Sequence, residues 1–160
     1  MFDNFKLTSY IGSIISIIAL FTPALFRSDS SHYTFIWMMG FFVQLYPSDI
    51  NIGPIREIIS LSMGLLIFLI LIIFTIVLII RIKMNFKVPS TCLSLGIIEN
   101  LLVWSYYIGI NLYSNFYRLG FGESYAFIIY FPGPGIFLPS LIGFLFIIVF
   151  FFPKIKPVKS

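Results

Sequence analysis

Glu99 stands in the middle of an uncharged stretch, residues 88–110, that is long enough to cross a bilayer. A carboxyl at that depth is costly, and intramembrane ionisable groups mark functional sites. None of the chain's long apolar runs contains a Lys, Arg or His that could pair with it. The carboxyl is therefore expected as the neutral acid, a hydrogen-bond clamp between helices. Its candidate partners are the small and hydroxyl residues Ser13, Ser16 and Ser140, with Ala19 and Gly143 at matching depth. Gly12 and Ser16 form a small-xxx-small pair, a spacing that lets helices approach closely. Asn100 lies about 100° further round the same helix and is a candidate for a second contact, to another chain. Two other uses of Glu99 stay open: a polar handle for a partner subunit, and a proton or ion pathway, which normally needs several polar groups in line.

The rest of the chain offers little for catalysis. His32 is the single histidine, so neither a bis-histidine haem nor a multi-histidine metal centre is available. Cys92 is the single cysteine; it reads as a buried thiol, with palmitoylation as the alternative. Asp29, Asp49 and Glu57 read as solvated loop charges. There is no G-x-S-x-G, H-E-x-x-H, Walker loop, Rossmann glycine pattern or C-x-x-C. No catalytic residue, metal or cofactor is expected, and an enzyme acting alone is not.

Composition says what must hold these residues in place. Charged residues make up 10% of the chain, where a soluble domain carries roughly 25%. Mean hydropathy is +1.04, so the surface needs lipid as solvent. The net charge of +4 does not point to nucleic acid, because the basic residues flank the apolar runs. Four spans are predicted: 7–26, 58–80, 88–110 and 135–152. They leave an outer segment 27–56, an inner loop 81–87, a second outer segment 111–133 and a tail 153–160. The first span is expected to be retained, since no A-x-A-like cleavage site follows it. Lys6, Arg81, Lys83, Lys87, Lys154, Lys156 and Lys159 fall on one side, and Arg27, Arg56 and Arg118 on the other. That bias puts both termini in the cytoplasm of a cell membrane.

The outer segments are long and aromatic. Residues 33–46, YTFIWMMGFFVQLY, are too few for a comfortable span and rich in strand formers, with Gly40 as a bulge or kink. Residues 125–131, YAFIIYF, have the same character and precede Pro132-Gly133-Pro134-Gly135, a turn and helix-stop cluster. These runs are predicted to pair as strands in a small sheet on the outer ends of the helices; a short half-sunk helix is the alternative. The aromatics fit an interfacial belt, as do Trp104, Tyr106 and Tyr107. They equally fit a contact surface, for which Trp37, Phe41, Phe42, Phe116, Tyr117, Phe121 and Tyr125 are the candidates.

Taken together these residues resemble the claudin-like tetraspan superfamily, which includes the peripheral myelin proteins. Thr22-Pro23-Ala24-Leu25-Phe26-Arg27 is similar to the family's proline-then-basic exit from its first span. Trp37 and Gly40 echo its Trp-Gly-Leu-Trp core strand, and Arg56 matches a basic residue before its second span. Gly135-Ile136-Phe137-Leu138 resembles the start of its last helix. The chain departs from the family in having no cysteine pair in the first outer segment, so packing must hold that layer together. The resemblance implies four helices, cytoplasmic termini and a mostly β extracellular layer.

The fold class expected is therefore an all-α membrane protein, a four-transmembrane-helix bundle with a small β extracellular layer. The expected function is structural: aromatic outer segments that associate with a membrane protein partner or with further copies. An accessory subunit of a larger complex comes second, and a small ion or proton conductor using Glu99 third.

Overall fold

The structure, a computed structural model, describes residues 2–28, 32–55, 58–84, 88–119 and 130–151, without the side chains of 2–5, 58–60 and 114–119. It is mostly helical, with one small antiparallel sheet. The order is α1 (Phe2–Leu20), β1 (Leu25–Ser28), β2 (Tyr33–Ile36), β3 (Phe41–Leu45), β4 (Ile50–Pro54), α2 (Ile58–Lys83), α3 (Val88–Leu119), β5 (Phe131–Pro132) and α4 (Pro134–Phe151). Three helices are long and apolar enough to cross a membrane: Leu61–Lys83, Val88–Tyr113 and Pro134–Phe151. The apolar part of α1, Lys6–Leu20, is shorter.

α1 ends six residues before the predicted boundary at 26. Pro23 has no N–H to continue the helix. The last turn closes through Phe21 N–H to Ile18 O and Thr22 N–H to Ala19 O, and the Thr22 hydroxyl also donates to Ala19 O at 2.7 Å. The Trp37 indole donates to Phe21 O at 3.0 Å, satisfying another terminal carbonyl. Leu25 and Phe26, expected inside the span, begin β1 instead. α2 runs on to Lys83, so 81–83 of the expected inner loop are helical. α3 overruns its expected end at 110 by two and a half turns, because 111–119 contains no Gly or Pro to stop it.

The sheet order is β4-β3-β2-β1-β5. The predicted 33–46 strand is a hairpin, β2 and β3, turned at Trp37 to Gly40, where Gly40 has φ 93°. Of the predicted second strand, 125–131, only Phe131 is described as β; with Pro132 it pairs with β1, and 125–129 lie outside the described residues. The Pro-Gly cluster starts a helix rather than stopping one. Pro134 takes the first helical position, where its missing N–H costs nothing. Gly133 N–H donates to Ala24 O at 2.7 Å and Gly135 N–H to Pro23 O at 2.9 Å. These bonds staple the start of α4 to the end of α1.

The helices form a ring in which α3 packs most extensively on α4, and α1 lies between α4 and α2. Two apolar cores fill it. The sheet-end core gathers Leu20, Leu25, Met38, Leu71, Val103, Tyr106 and Ile136. The other holds Leu78, Ile82, Val88, Cys92, Leu95, Ile142 and Phe146. Met38, at the tip of the hairpin, is buried in the mouth of the bundle. A Cβ on Gly40 would overlap the Leu61 side chain, and its backbone is left-handed. Gly40→Ala is therefore expected to cost about 1–3 kcal/mol, read as a lower thermal midpoint in detergent. A midpoint within a degree of wild type would show that the hairpin does not plug the bundle.

Candidate functional site

α1 is polar inside and apolar outside. Ser9, Ser13 and Ser16, spaced to share one helix face, are all buried, while Leu7, Ile11, Ile14, Ile15 and Ile18 are exposed. α3 presents Cys92, Glu99 and Tyr106 to the interior at seven-residue intervals, again one face. Where the two faces meet, the Ser16 hydroxyl donates to Glu99 Oε1, and the Cys92 thiol donates to Ser9 Oγ at 3.3 Å. The Ser13 hydroxyl donates back to Ser9 O at 2.8 Å. Thr75 of α2, at the level between the two cores, spends its hydroxyl on Leu71 O. Glu99 is fully buried, and its Oε2 meets no hydrogen-bond donor among the described residues.

Round the helix from Glu99, Asn100 clamps α3 to α4. Trp104 Nε1 donates to Ser140 Oγ at 3.0 Å, Ser140 donates to Asn100 Oδ1 at 2.7 Å, and Asn100 Nδ2 donates to Gly96 O at 2.9 Å. Asn100 thus spends its side chain within the chain, not on another one as the sequence suggested. Ser140 joins this clamp rather than Glu99. The helices can come this close because Gly96 and Gly143 face each other: a Cβ on Gly96 would overlap the Gly143 carbonyl oxygen. Tyr106 is not part of an interfacial belt. It is fully buried, with its ring against Gly64 of α2.

The sheet supplies the second surface. Alternate residues of a strand point to opposite faces, so the register sorts them. Leu25 and Ile36, which sit at or against the sheet-end core, share a face with Thr34, Arg27, Phe42, Gln44 and Asn51. The other face carries one residue from each of the five strands in a single row: Phe131, Phe26, Phe35, Val43 and Ile52. Phe131 and Phe26 stack at 5.5 Å. Tyr33, Leu45 and Ile50 flank the row. Among the described residues nothing charged lies on this face, and Ile52 is 67% and Phe131 52% exposed.

The edge of β4 is blunted. Antiparallel alternation aims the backbone groups of Ile50, Ile52 and Pro54 outward. The Ile50 N–H is taken by Asp49 Oδ1 at 2.7 Å and Pro54 has none, leaving Ile52 as this strand's outward donor. Strand addition is thus discouraged, and the apolar face is what the sheet offers.

The sequence-derived surface residues scatter. Trp37 and Phe41 stack at 4.5 Å and are half-buried. Phe42, also half-buried, lies on the helix-side face beside Gly53. Phe116 and Tyr117 belong to α3, not to a loop, while Phe121 and Tyr125 lie outside the described residues. Phe26, Phe131, Ile50 and Ile52 were missed, although the alternation in 41–45 and 50–53 marked one face of two strands. Asn111 was missed too. Its side chain donates to Tyr130 O at 3.3 Å and accepts from Tyr130 N–H at 2.8 Å, fixing the strand that follows. Among the described residues no group of three or more His, Cys, Asp or Glu gathers; Asp29 and Glu57 lie outside them.

No model of a known protein family matches the chain, and no curated protein matches it either.

Proposed function

We propose that the chain is a four-span, claudin-like membrane protein whose outer sheet binds a neighbouring membrane protein or further copies of itself, without catalysis of its own. The observation that carries this reading is the apolar row across all five strands, on the sheet face turned away from the bundle core. Exposed apolar surface of this kind marks contact sites. α1 supports the fourth span: a helix that buries serines and exposes isoleucines is solvated by lipid on its outer side. Four strands in the first outer segment and one in the second fit the β layer that the resemblance implies. The Lys and Arg bias puts both termini in the cytoplasm. Two buried side-chain pairs tie helices together, Ser16 to Glu99 between α1 and α3 and Ser140 to Asn100 between α4 and α3, as befits a scaffold.

Charge on the row tests the reading. Phe26→Asp with Ile52→Asp should leave the helices folded and lower recovery of the cross-linked assembly by about tenfold or more, the loss of one hot-spot contact. Recovery equal to wild type, with the helical content retained, would remove this face from the function.

A further inference from the structure

We propose that Glu99 is a proton-binding site open to water from one end of the bundle alone, the end opposite the sheet, along the hydroxyl ladder of α1.

The ladder is directional. Lys6, half-exposed at the rim, is followed by Ser9, Ser13 and Ser16 at steps of three, four and three residues, which keeps all four on one helix face. Ser16 touches the carboxyl. The axial steps between the serines are about 6 and 4.5 Å, gaps that one water bridges. Each hydroxyl both donates and accepts, so it takes a proton on its lone pair as it releases the one it carries; Ser13, which donates to Ser9 O, must first turn its hydroxyl toward the bridging water. One proton enters at the far end for each that reaches the carboxyl, and one leaves there for each that the carboxyl gives up, so no other reactant is needed. Toward the sheet there is no such ladder. Leu20, Leu71, Val103, Met38 and the Tyr106 ring fill that half, whereas the opposite half, which also packs Leu78, Leu95, Ile142 and Phe146, keeps Ser9, Ser13 and Cys92 along its α1 side.

Glu99 itself calls for a partner beyond the described side chains. Buried polar atoms are almost always hydrogen-bonded. Oε2 is buried, meets no donor among the described residues, and has only the Ser16 side of the carboxyl engaged. The titratable and charged groups around the route are few. α1 contributes Lys6 at the rim; α2 contributes Arg81, also at the rim, bonded to Thr91 at 2.8 Å; α3 contributes Cys92 and, on the sheet side, the Tyr106 hydroxyl. The described length of α4 contains none and faces Glu99 with Gly143. Among the described residues no cation sits at the carboxyl to hold it charged; it carries an exchangeable proton, and a water reaching it along the ladder is the partner that Oε2 lacks. The inference does not depend on what binds the outer sheet.

The test is infrared spectroscopy of the whole chain in lipid nanodiscs, transferred from H2O to D2O. A protonated-carboxyl band that vanishes in Glu99→Gln is expected, and it should move to lower wavenumber within minutes in D2O. Ser13→Ala should slow that shift by about tenfold or more, the effect of removing one hydrogen-bonding stop from an apolar interior. Ser13→Thr should restore it, and Tyr106→Phe should leave it unchanged. The amide bands of the same spectra report whether each variant is folded. The absence of a band removed by Glu99→Gln would overturn the proposal, as would a band that never exchanges. Exchange slowed by Tyr106→Phe and untouched by Ser13→Ala would place the route on the sheet side and overturn it as well.

Discussion

Gly96→Leu is expected to separate α3 from α4 and to destabilise the protein by at least about 3 kcal/mol, the upper range for overpacking, since backbone and not a side chain must yield. A Cβ on Gly96 already overlaps the Gly143 carbonyl, and it also comes within 3.0 Å of Ile147 and 3.2 Å of Phe146. In lipid, helix association rests on close packing and interhelical hydrogen bonds, because burying apolar surface gains little. Pushing these helices apart loses both. The Trp104–Ser140–Asn100 relay crosses the same interface one turn further on and depends on the same close approach. Gly109→Ala on the same helix is the control. Its Cβ meets the end of the flexible Met63 side chain, so the cost should stay within about 1 kcal/mol. Thermal unfolding in detergent reads both. Equal midpoints for the two variants would mean that α3 and α4 are not locked at Gly96.

Tyr106 gives the second large effect, and its two halves have opposite signs. The ring is one of the largest fully buried side chains and joins α2, α3 and the hairpin tip in the sheet-end core. Tyr106→Ala should cost about 3–5 kcal/mol through the cavity it leaves. For a chain of this length that lowers the thermal midpoint by about 10 °C. The hydroxyl, by contrast, is buried with no hydrogen-bond partner among the described residues. Removing an unpaired polar group recovers its desolvation cost. Tyr106→Phe should therefore match wild type or exceed it by about 1 kcal/mol. A Phe variant as unstable as the Ala variant would mean that the hydroxyl is engaged by a group outside the described residues.

Much of the helical scaffold was legible because long apolar runs follow a simple code. Runs of apolar residues near 20 long mark spans, and α2 and α4 begin within a residue of where composition put them. Boundaries failed where hydropathy does not decide them. Phe26 is as apolar as any span residue, yet Pro23 had already ended the helix. Residues 111–119 are polar enough to suggest a loop, yet nothing in them breaks a helix. Depth put Ser16 among the candidate partners of Glu99, together with Ser13 and Ser140, but did not choose between them. The Ser140 to Asn100 bond could not be foreseen either, since two serines at similar depth are indistinguishable until helix rotation is fixed. The apolar sheet face was the hardest to see. Phe131, Phe26, Phe35, Val43 and Ile52 are spread over a hundred residues, and only strand register brings them into one row.

We expect the sheet's apolar row to hold this protein to a neighbouring membrane protein or to further copies of itself. The most direct measurement is the mass and composition of the particle extracted from its native membrane in mild detergent, for wild type and for the Phe26→Asp, Ile52→Asp variant. Wild type should run as a particle larger than one 18.4 kDa chain, containing further copies or a stoichiometric partner, and the variant should fall to a single folded chain. A wild-type particle of one chain, or a variant that keeps the wild-type mass, would contradict the account.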